Sequence, residues 1–164
     1  MSPVHQPIKH KIKTWDKARG TVSQWKDEGQ TIVFTNGCFD LIHKGHIQYL
    51  EQAAQLGDRL IVALNTDSSI KRLKGETRPI KDLENRQFVM ASFQFVDLVV
   101  HFEQDTPYEL ISYLLPDVLV KGGDWSTDKI IGADIVIQNG GEVKSLSFTE
   151  GCSTTNLINK VKKS

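Results

Sequence analysis

Short runs of β-branched and aliphatic residues alternate along this chain with longer segments of helical periodicity. Such alternation is typical of a parallel β-sheet whose strands are joined by helices. The predicted strands are residues 31–35, 59–64, 97–100, 118–120 and 142–148. The predicted helices are residues 15–28, 44–56, 83–93, 106–115, 130–139 and 153–162, the fourth with Thr106 as its cap and Pro107 in its first turn. The pattern predicts an α/β fold: a Rossmann-like open parallel five-stranded sheet with helices on both faces.

The predicted elements follow one another without a linker, and 164 residues are enough for a single hydrophobic core. Residues 1–29 are interpreted as an N-terminal helical extension and residues 30–164 as the main domain. In the extension, four apolar residues are spaced to lie along one side of a helix: Trp15, Ala18, Val22 and Trp25. We expect this helix to pack outside the sheet or at a partner subunit.

Charge balance and cysteine count exclude several classes of protein. The 20 Lys and Arg residues balance the 20 Asp and Glu residues, so the electrostatic signature of nonspecific nucleic-acid binding is missing. The amino terminus is polar where a signal peptide is apolar, and the sequence has no apolar run of the roughly 18 residues that span a bilayer. We therefore expect a cytoplasmic protein with no nucleic-acid or membrane partner. Cys38 and Cys152 are too few for a disulfide framework and are interpreted as packing residues.

The first strand leads directly into a segment that contains two glycines and two histidines before the next helix. This segment lies at the carboxyl end of a buried strand, where open α/β sheets bind ligands. Gly37 and Gly45 permit close approach of a phosphate, and the start of the helix favours anions. His43 and His46 are three residues apart on one helical turn, so two imidazoles can meet the same phosphate. The alternative is a tight turn with one core histidine and one surface histidine.

Basic and hydroxyl residues elsewhere in the chain also suit a phosphorylated ligand. Ser153 and Thr154 precede an apolar helical pattern, where they either cap a helix or hold an anion at its start. A basic segment between the second and third strands either clamps a polyphosphate or is a solvated loop: Lys71, Arg72, Lys74, Arg78 and Lys81. At the end of the fourth strand, Lys121 is poorly explained by packing alone, and Trp125 either stacks on a ligand or fills a lid.

Taken in order, these motifs resemble a known family. The segment Asn36-Gly37-Cys38-Phe39-Asp40 with His43-Lys44-Gly45-His46 is similar to the phosphate-binding loop and HxGH signature of cytidylyltransferase-like nucleotidyltransferases. Further similar segments are residues 65–67, 71–74, 84–86, 120–125 and 149–155. The resemblance covers residues 30–163. Within that superfamily, residues 73–79, 119–124 and 151–156 most resemble the adenylyltransferase domains of bacterial ADP-heptose synthases.

The resemblance implies that the main domain transfers AMP from ATP to D-glycero-β-D-manno-heptose 1-phosphate. The products are ADP-heptose and pyrophosphate, formed by direct in-line attack, with Mg²⁺ as cofactor and ATP as a substrate. In the bifunctional form of that enzyme a sugar kinase domain precedes the transferase, so a separate sugar kinase is the implied upstream partner here. The family's habit of dimerising implies a homodimer, and the implied pathway supplies lipopolysaccharide precursors.

The resemblance also implies roles for individual residues. His43, His46 and Lys74 are the implied catalytic residues. Asp40 is implied to lie near the sugar phosphate and the metal, with a local Asx-type turn as the alternative. Arg86 is implied to contact nucleotide phosphates, with a surface ion pair as the alternative. The full set of implied binding residues is Thr35, Asn36, Gly37, Phe39, Asp40, Gly45, Asn65, Asp67, Lys71, Arg86, Lys121, Gly122, Asp124, Trp125, Gly151, Ser153 and Thr154.

Two other functions share part of this pattern. A cytidylyltransferase acting on glycerol 3-phosphate has the same histidine, Asp-Trp and Ser-Thr-Thr elements. Residues 73–79 and 121–123 favour the heptose enzyme instead, and Phe148 stands where a basic residue is expected in the glycerol phosphate enzymes. A noncatalytic nucleotide-binding module is the third possibility, and the presence of both histidines and the basic segment argues against it.

Overall fold

The computed structural model describes residues 5–148 and 153–164. Its strands are β1 Ile32–Gly37, β2 Arg59–Asn65, β3 Leu98–Phe102, β4 Val118–Gly122 and β5 Glu142–Leu146. All four neighbouring pairs are parallel, in the order β3-β2-β1-β4-β5. The predicted five-stranded parallel sheet and its Rossmann-like α/β fold are confirmed.

Helices cover both faces of this sheet. They are α1 Trp15–Asp27, α2 Lys44–Ala54, α3 Asp67–Lys74, α4 Leu83–Ala91, α5 Tyr108–Leu114, α6 Ala133–Gln138 and α7 Thr154–Lys162. Short 3₁₀ helices occupy Ile8–Lys11 and Thr127–Lys129. Helices α1, α5 and α6 belong to the hydrophobic cluster on one face, and α2 and α4 belong to the cluster on the other. No helix in the described part of the chain is long and apolar enough to cross a membrane.

Strand side chains alternate between the two hydrophobic clusters. In β1, Ile32 and Phe34 pack with one cluster, and Val33 between them packs with the other. All three side chains are fully buried. A strand that is apolar on both faces is characteristic of a parallel sheet covered by helices. Each such side chain contributes roughly 1.5–3 kcal/mol through its burial.

Helix α1 packs directly on the sheet. Ala18 and Val22 are buried in the same cluster as Ile32 and Phe34, and the Trp15 indole N–H donates to the His101 carbonyl oxygen at 2.7 Å. Just before the helix, Ile12 forms a parallel bridge with Val99 on the edge strand β3. The N-terminal segment therefore covers a sheet edge that would otherwise expose unpaired backbone groups.

Three local predictions were wrong. No helix was predicted between residues 56 and 83, but residues 67–74 form α3, whose cap Thr66 accepts a hydrogen bond from the Ser69 N–H. Thr106 does not cap α5: the helix begins at Tyr108 after Pro107, with no side-chain cap. Strand β5 ends at Leu146, two residues before the predicted end.

Candidate nucleotide-binding and catalytic site

The carboxyl ends of the strands open into a cleft formed by two adjoining cavities. It lies where the strand order reverses between β1 and β4, the usual ligand position in open α/β sheets. We call the cavity of about 290 Å³ the His46 cavity and the cavity of about 380 Å³ the Asn65 cavity. Each name comes from a residue that lines that cavity and not the other. The residues that line both are Asn36, Gly37, Cys38, Lys74, Lys121 and Trp125.

The two histidines cap each other's backbone at the start of α2. The His43 N–H donates to Nδ1 of His46 at 3.3 Å, and the His46 N–H donates to Nδ1 of His43 at 3.4 Å. A backbone N–H can only donate, so both Nδ1 atoms are acceptors and each neutral ring carries its proton on Nε2. The rings stack with their centroids 3.8 Å apart. The pair thus offers two Nε2–H donors.

Burial keeps the histidine pair neutral. Desolvation, with smaller contributions from the charges of His43 and Lys74, lowers the pKa of His46 to about 4. Desolvation also lowers the pKa of His43. At neutral pH the His46 imidazole is therefore a hydrogen-bond donor without a positive charge.

The loop between β1 and α2 is shaped by Phe39, whose backbone has a left-handed φ of 46°. Its ring lies edge-on to His46, with centroids 5.5 Å apart. A Cβ atom at Gly37 would come within 2.8 Å of that ring, so a side chain at this position would displace Phe39. Gly45 is buried in the first turn of α2. The prediction that Gly37 and Gly45 permit close approach of a phosphate stays a prediction.

Asp40 anchors a distant segment of the chain. Its Oδ2 accepts from Arg78 Nε at 2.9 Å and from the Ile80 N–H at 2.8 Å, and its Oδ1 accepts from the Lys81 N–H at 2.8 Å. Burial raises the pKa of this carboxyl, but these three donors together hold it below its usual value. The three donors lie 38 to 41 residues after Asp40 in the sequence, so the alternative of a local Asx turn was wrong.

The expected role of Asp40 as a metal ligand is disfavoured by the same contacts. Its carboxylate is already neutralised by the Arg78 guanidinium and shared with two backbone N–H groups. In residues 5–148 and 153–164, no three His, Cys, Asp or Glu side chains are grouped so that they could hold a metal ion.

Arg86 is buried and connects segments that are distant in sequence through its hydrogen bonds. It is 1% exposed, and its Nε donates to the Lys81 carbonyl oxygen at 3.0 Å. Its Nη1 donates to the carbonyl oxygens of Cys38 and Asn65 at 2.9 and 2.8 Å, and its Nη2 pairs with Asp67 at 2.7 Å. Neither Arg86 nor Asp67 lines a cavity. Because its side chain is fully buried, Arg86 does not form the surface ion pair of the alternative, and its contact with nucleotide phosphates stays a prediction.

The basic segment divides into free and paired cations. Lys74, at the end of α3, lines both cavities. Arg72 instead pairs with Glu103 and Asp105 outside the cleft. Arg78 lines the His46 cavity but is bound to Asp40. Lys71, which was expected to bind phosphate, and Lys81 are absent from the lining of both cavities.

The end of β4 brings Lys121, Gly122 and Trp125 into the cleft, whereas Asp124 does not line it. The Trp125 ring is 53% exposed, so it does not fill a core, and its indole N–H donates to the Gly122 carbonyl oxygen at 3.1 Å. A Cβ atom at Gly122 would lie 2.3 Å from the Phe148 ring. A side chain at Gly122 would therefore require the half-exposed Phe148 ring to move away from the strand end.

The start of α7 reaches the His46 cavity. Ser153 caps the helix by accepting a hydrogen bond from the Asn156 N–H at 3.0 Å. Thr154 lines the cavity, and its hydroxyl donates to the Leu41 carbonyl oxygen at 3.3 Å. The predicted cap is confirmed, and Thr154 lies where an anion at the helix start would bind. The predicted binding residue Gly151 lies outside the described residues.

Several cleft residues were missed by the sequence analysis. Tyr49 and Phe148 line the His46 cavity with ring centroids 5.3 Å apart, and the Tyr49 hydroxyl bonds that of Thr35 at 2.7 Å. Helical spacing was an available signal for Tyr49, which follows His46 by three residues. Cys38 was interpreted as a packing residue, but it is half-buried and lines both cavities. No local pattern distinguishes Thr106, which lines the Asn65 cavity from the loop after β3.

Comparison with known proteins identifies the family to which a chain with this cleft belongs. A family model described as cytidylyltransferase-like matches residues 34–160, a range that includes every residue lining the two cavities. The chain belongs to the cytidylyltransferase-like family. It is thus an enzyme of the nucleotidyltransferase class.

Curated relatives agree with this assignment. Proteins named Bifunctional protein HldE are 57% identical over 143 residues in Histophilus somni and 58% identical over 144 residues in Haemophilus influenzae. These matches cover 87% and 88% of this chain and 30% of each relative. The chain thus spans about a third of the length of the curated relatives it matches.

Solved structures share the fold. The lipopolysaccharide core biosynthesis protein from Thermoplasma volcanium is 28% identical, with a TM-score of 0.60 over 74% of this chain and 98% of that chain. The pantoate-beta-alanine ligase from Francisella tularensis is 13% identical, with a TM-score of 0.59 over 93% of this chain and 78% of that chain. At 13% identity the second likeness shows the fold alone.

Proposed function

We propose that this chain transfers AMP from ATP to D-glycero-β-D-manno-heptose 1-phosphate, releasing pyrophosphate and forming ADP-heptose. The observation that carries the proposal is the pair of neutral Nε2–H donors at the start of α2, beside a cleft with two adjoining cavities. The sugar assignment is supported by the sequence strings at residues 73–79 and 119–124. A similar structure named for lipopolysaccharide core biosynthesis agrees with it.

The reaction needs no general base or protein nucleophile. An oxygen of the sugar phosphate is already anionic, so it can attack the α-phosphorus of ATP while the bond to the pyrophosphate oxygen breaks. What the protein must supply is in-line placement of two anions and stabilisation of the charge that develops. Donors fixed by backbone hydrogen bonds, as in the His43–His46 pair, need no reorganisation during the reaction.

We assign ATP to the His46 cavity. Its triphosphate would lie between the two histidines and the start of α7, where Thr154 and the helix amides favour anions. The rings of Tyr49 and Phe148 offer an apolar surface in the same cavity. Lys74 would stabilise the departing pyrophosphate as a point charge.

We assign the sugar phosphate to the Asn65 cavity. This cavity adjoins the first and combines amide and hydroxyl groups from Asn36, Asn65 and Thr106 with an apolar floor. Sugar hydroxyls require such hydrogen-bonding partners when they leave water. Mg²⁺ is proposed to arrive with the triphosphate as its counter-ion, and no side chain of the cleft is assigned to it.

The test is pyrophosphate release in the presence of Mg²⁺, with ATP or CTP offered against several acceptors. The acceptors are D-glycero-β-D-manno-heptose 1-phosphate, its α anomer and glycerol 3-phosphate. Release with ATP and the β-heptose phosphate alone is the expected result. Release with CTP and glycerol 3-phosphate would replace the proposed substrates with those of a glycerol phosphate cytidylyltransferase. No release with any pair would contradict the proposal and favour a noncatalytic module.

We further propose that the chain acts in the cytoplasm as a homodimer and receives its acceptor from a sugar kinase. Light scattering tests the dimer, and a coupled assay with a kinase that phosphorylates the unphosphorylated heptose at O1 tests the supply of acceptor. A monomer at micromolar concentration would overturn the first statement.

A further inference from the structure

The arginines around the cleft are all occupied by protein acceptors. Arg86 is buried among loop carbonyl oxygens and Asp67. Arg78 is held by Asp40, and Arg72 is held by acidic side chains outside the cleft. A substrate phosphate would have to displace a protein partner to use any of them. Neutralisation of substrate charge in both cavities therefore depends on lysines.

Two lysines line both cavities, and they differ in environment. Lys74 is exposed at the end of α3, followed by Gly75 with a left-handed φ of 103°. Lys121 is half-buried at the end of β4, directly after the fully buried Val120. A strand in the middle of a sheet holds its end residue more rigidly than the last turn of a surface helix. Lys121 is thus the better-positioned cation of the two.

Lys121 has an unusual lack of partners for its burial. Within residues 5–148 and 153–164, its ammonium makes no hydrogen bond or ion pair, and the Cys38 thiol is the group that acts on it electrostatically. Burial lowers the pKa of this lysine, as expected for a cation that has lost water without gaining a counter-charge. Lysines are seldom removed from water without a partner, and none of the described residues supplies one here, so an anionic substrate suits this position.

We propose that Lys121 is a catalytic residue that contacts the α-phosphate of ATP and the phosphate of the acceptor at the same time. The inference rests on the proposed adenylyl transfer and extends it by naming the group that brings the two anions together. Lys121 lies in the wall shared by the two cavities, and an ammonium there reduces the repulsion between nucleophile and electrophile. It would also select acceptors that carry a phosphate.

The decisive experiment compares Lys121→Met and Lys121→Arg with wild type in the pyrophosphate assay. In Lys121→Met, kcat/KM for the sugar phosphate is expected to fall on the order of 10²-fold or more, by analogy with loss of a charge-stabilising donor. The melting temperature is expected to stay constant or rise, because an unpaired, half-buried charge has been removed. Lys121→Arg should recover part of the activity, since it restores the positive charge.

Lys144→Met is the matched control. Lys144 lies on the neighbouring strand β5, is exposed, pairs with Glu142 and does not line either cavity. Its substitution should leave both kinetic constants near those of wild type. Near-normal kcat/KM in Lys121→Met, or a fall in activity matched by a fall in melting temperature, would overturn the catalytic role of Lys121.

A second measurement separates this inference from the choice of sugar. Reductive methylation of wild-type protein, analysed by mass spectrometry, reports the accessibility of each lysine without any acceptor sugar. ATP together with inorganic phosphate is expected to slow the labelling of Lys121 and to leave that of Lys144 unchanged. Equal labelling of Lys121 with and without these anions would contradict the inference. Protection of Lys121 with no turnover of the heptose phosphate would instead reject only the proposed acceptor.

Discussion

At the residue scale, the central feature is that each histidine of the pair is oriented by the backbone of the other. Hydrogen bonds to both Nδ1 atoms fix the tautomer, so Nε2 carries the donor in each ring. Of the two residues, His46 lines a cavity of the cleft. Burial lowers the pKa of His46 to about 4, which favours the neutral ring. This arrangement gives a directional donor whose function does not depend on protonation near pH 7.

Replacement of His46 by alanine should lower kcat on the order of 10²-fold or more, because a preset donor to the developing charge is lost. The fold should persist, since His43 would still cap α2. Steady-state pyrophosphate release and far-UV circular dichroism are the measurements. His10→Ala, at an exposed position in the N-terminal segment, is the control. Near-normal turnover in His46→Ala would reject the assigned role.

The lowered pKa of His46 also predicts how stability depends on pH. Between about pH 6.5 and pH 4 the unfolded chain binds a proton at this ring and the native chain does not, so the free energy of unfolding should fall as pH decreases. Below about pH 4 this contribution stops changing. Urea unfolding of wild type and His46→Asn across this range tests the prediction. Identical pH slopes for the two proteins would show that His46 is not buried in its neutral form.

At the element scale, two buried charged side chains hold together loops that are distant in sequence. Arg86 on α4 ties the loop after β1 to the loop after β2, through the carbonyl oxygens of Cys38 and Asn65. Asp40 in the first of these loops binds residues 78–81, which lead into α4. The shape of both cavities therefore depends on hydrogen bonds within the protein.

Arg86→Lys should destabilise the protein by about 3–5 kcal/mol, because one ammonium cannot reach the four acceptors and leaves buried carbonyl oxygens unpaired. Arg72→Lys provides the control: its ion pairs are exposed and screened by solvent, so little change in stability is expected. Both values come from urea unfolding. Equal effects of the two substitutions would mean that Arg86 does not tie the loops.

At the scale of the whole molecule, one parallel sheet separates two hydrophobic clusters, and the cleft opens along its carboxyl edge. Helix α1 contributes Ala18 and Val22 to one cluster, together with residues from four of the strands. The N-terminal segment is therefore part of the packing that supports the sheet. The proposed division into residues 1–29 and 30–164 is a boundary in the sequence. Mutation of α1 tests whether the first part also contributes to the stability of the second.

Val22→Asp should destabilise the protein by roughly 3 kcal/mol or more, because it places an unpaired charge in a hydrophobic cluster. Ser23→Asp, one residue later on the exposed side of α1, should have little effect. Thermal unfolding of the full chain measures both. A melting temperature unaffected by Val22→Asp would identify α1 as an extension that does not contribute to the stability of the domain.

Local pattern was sufficient to predict most of the architecture. Alternation of buried strands with amphipathic helices is a property of short segments, and it identified all five strands of the parallel sheet. The errors occurred where a segment is short or polar, as in α3, whose basic residues look like a loop when taken alone. The histidine pair was also predictable, because both residues lie on one helical turn.

The sequence by itself determined the α/β class, the five strands, the chemistry of the loop after β1 and the family to which these motifs belong. These features depend on neighbours within a few residues. Only the tertiary structure decided which cations are free: Arg78 and Arg86 are held by Asp40 and by loop carbonyl oxygens, whereas Lys121 has no such partner among the described residues. Pairing of this kind depends on contacts across tens of residues, and such contacts exist only once the strands have assembled.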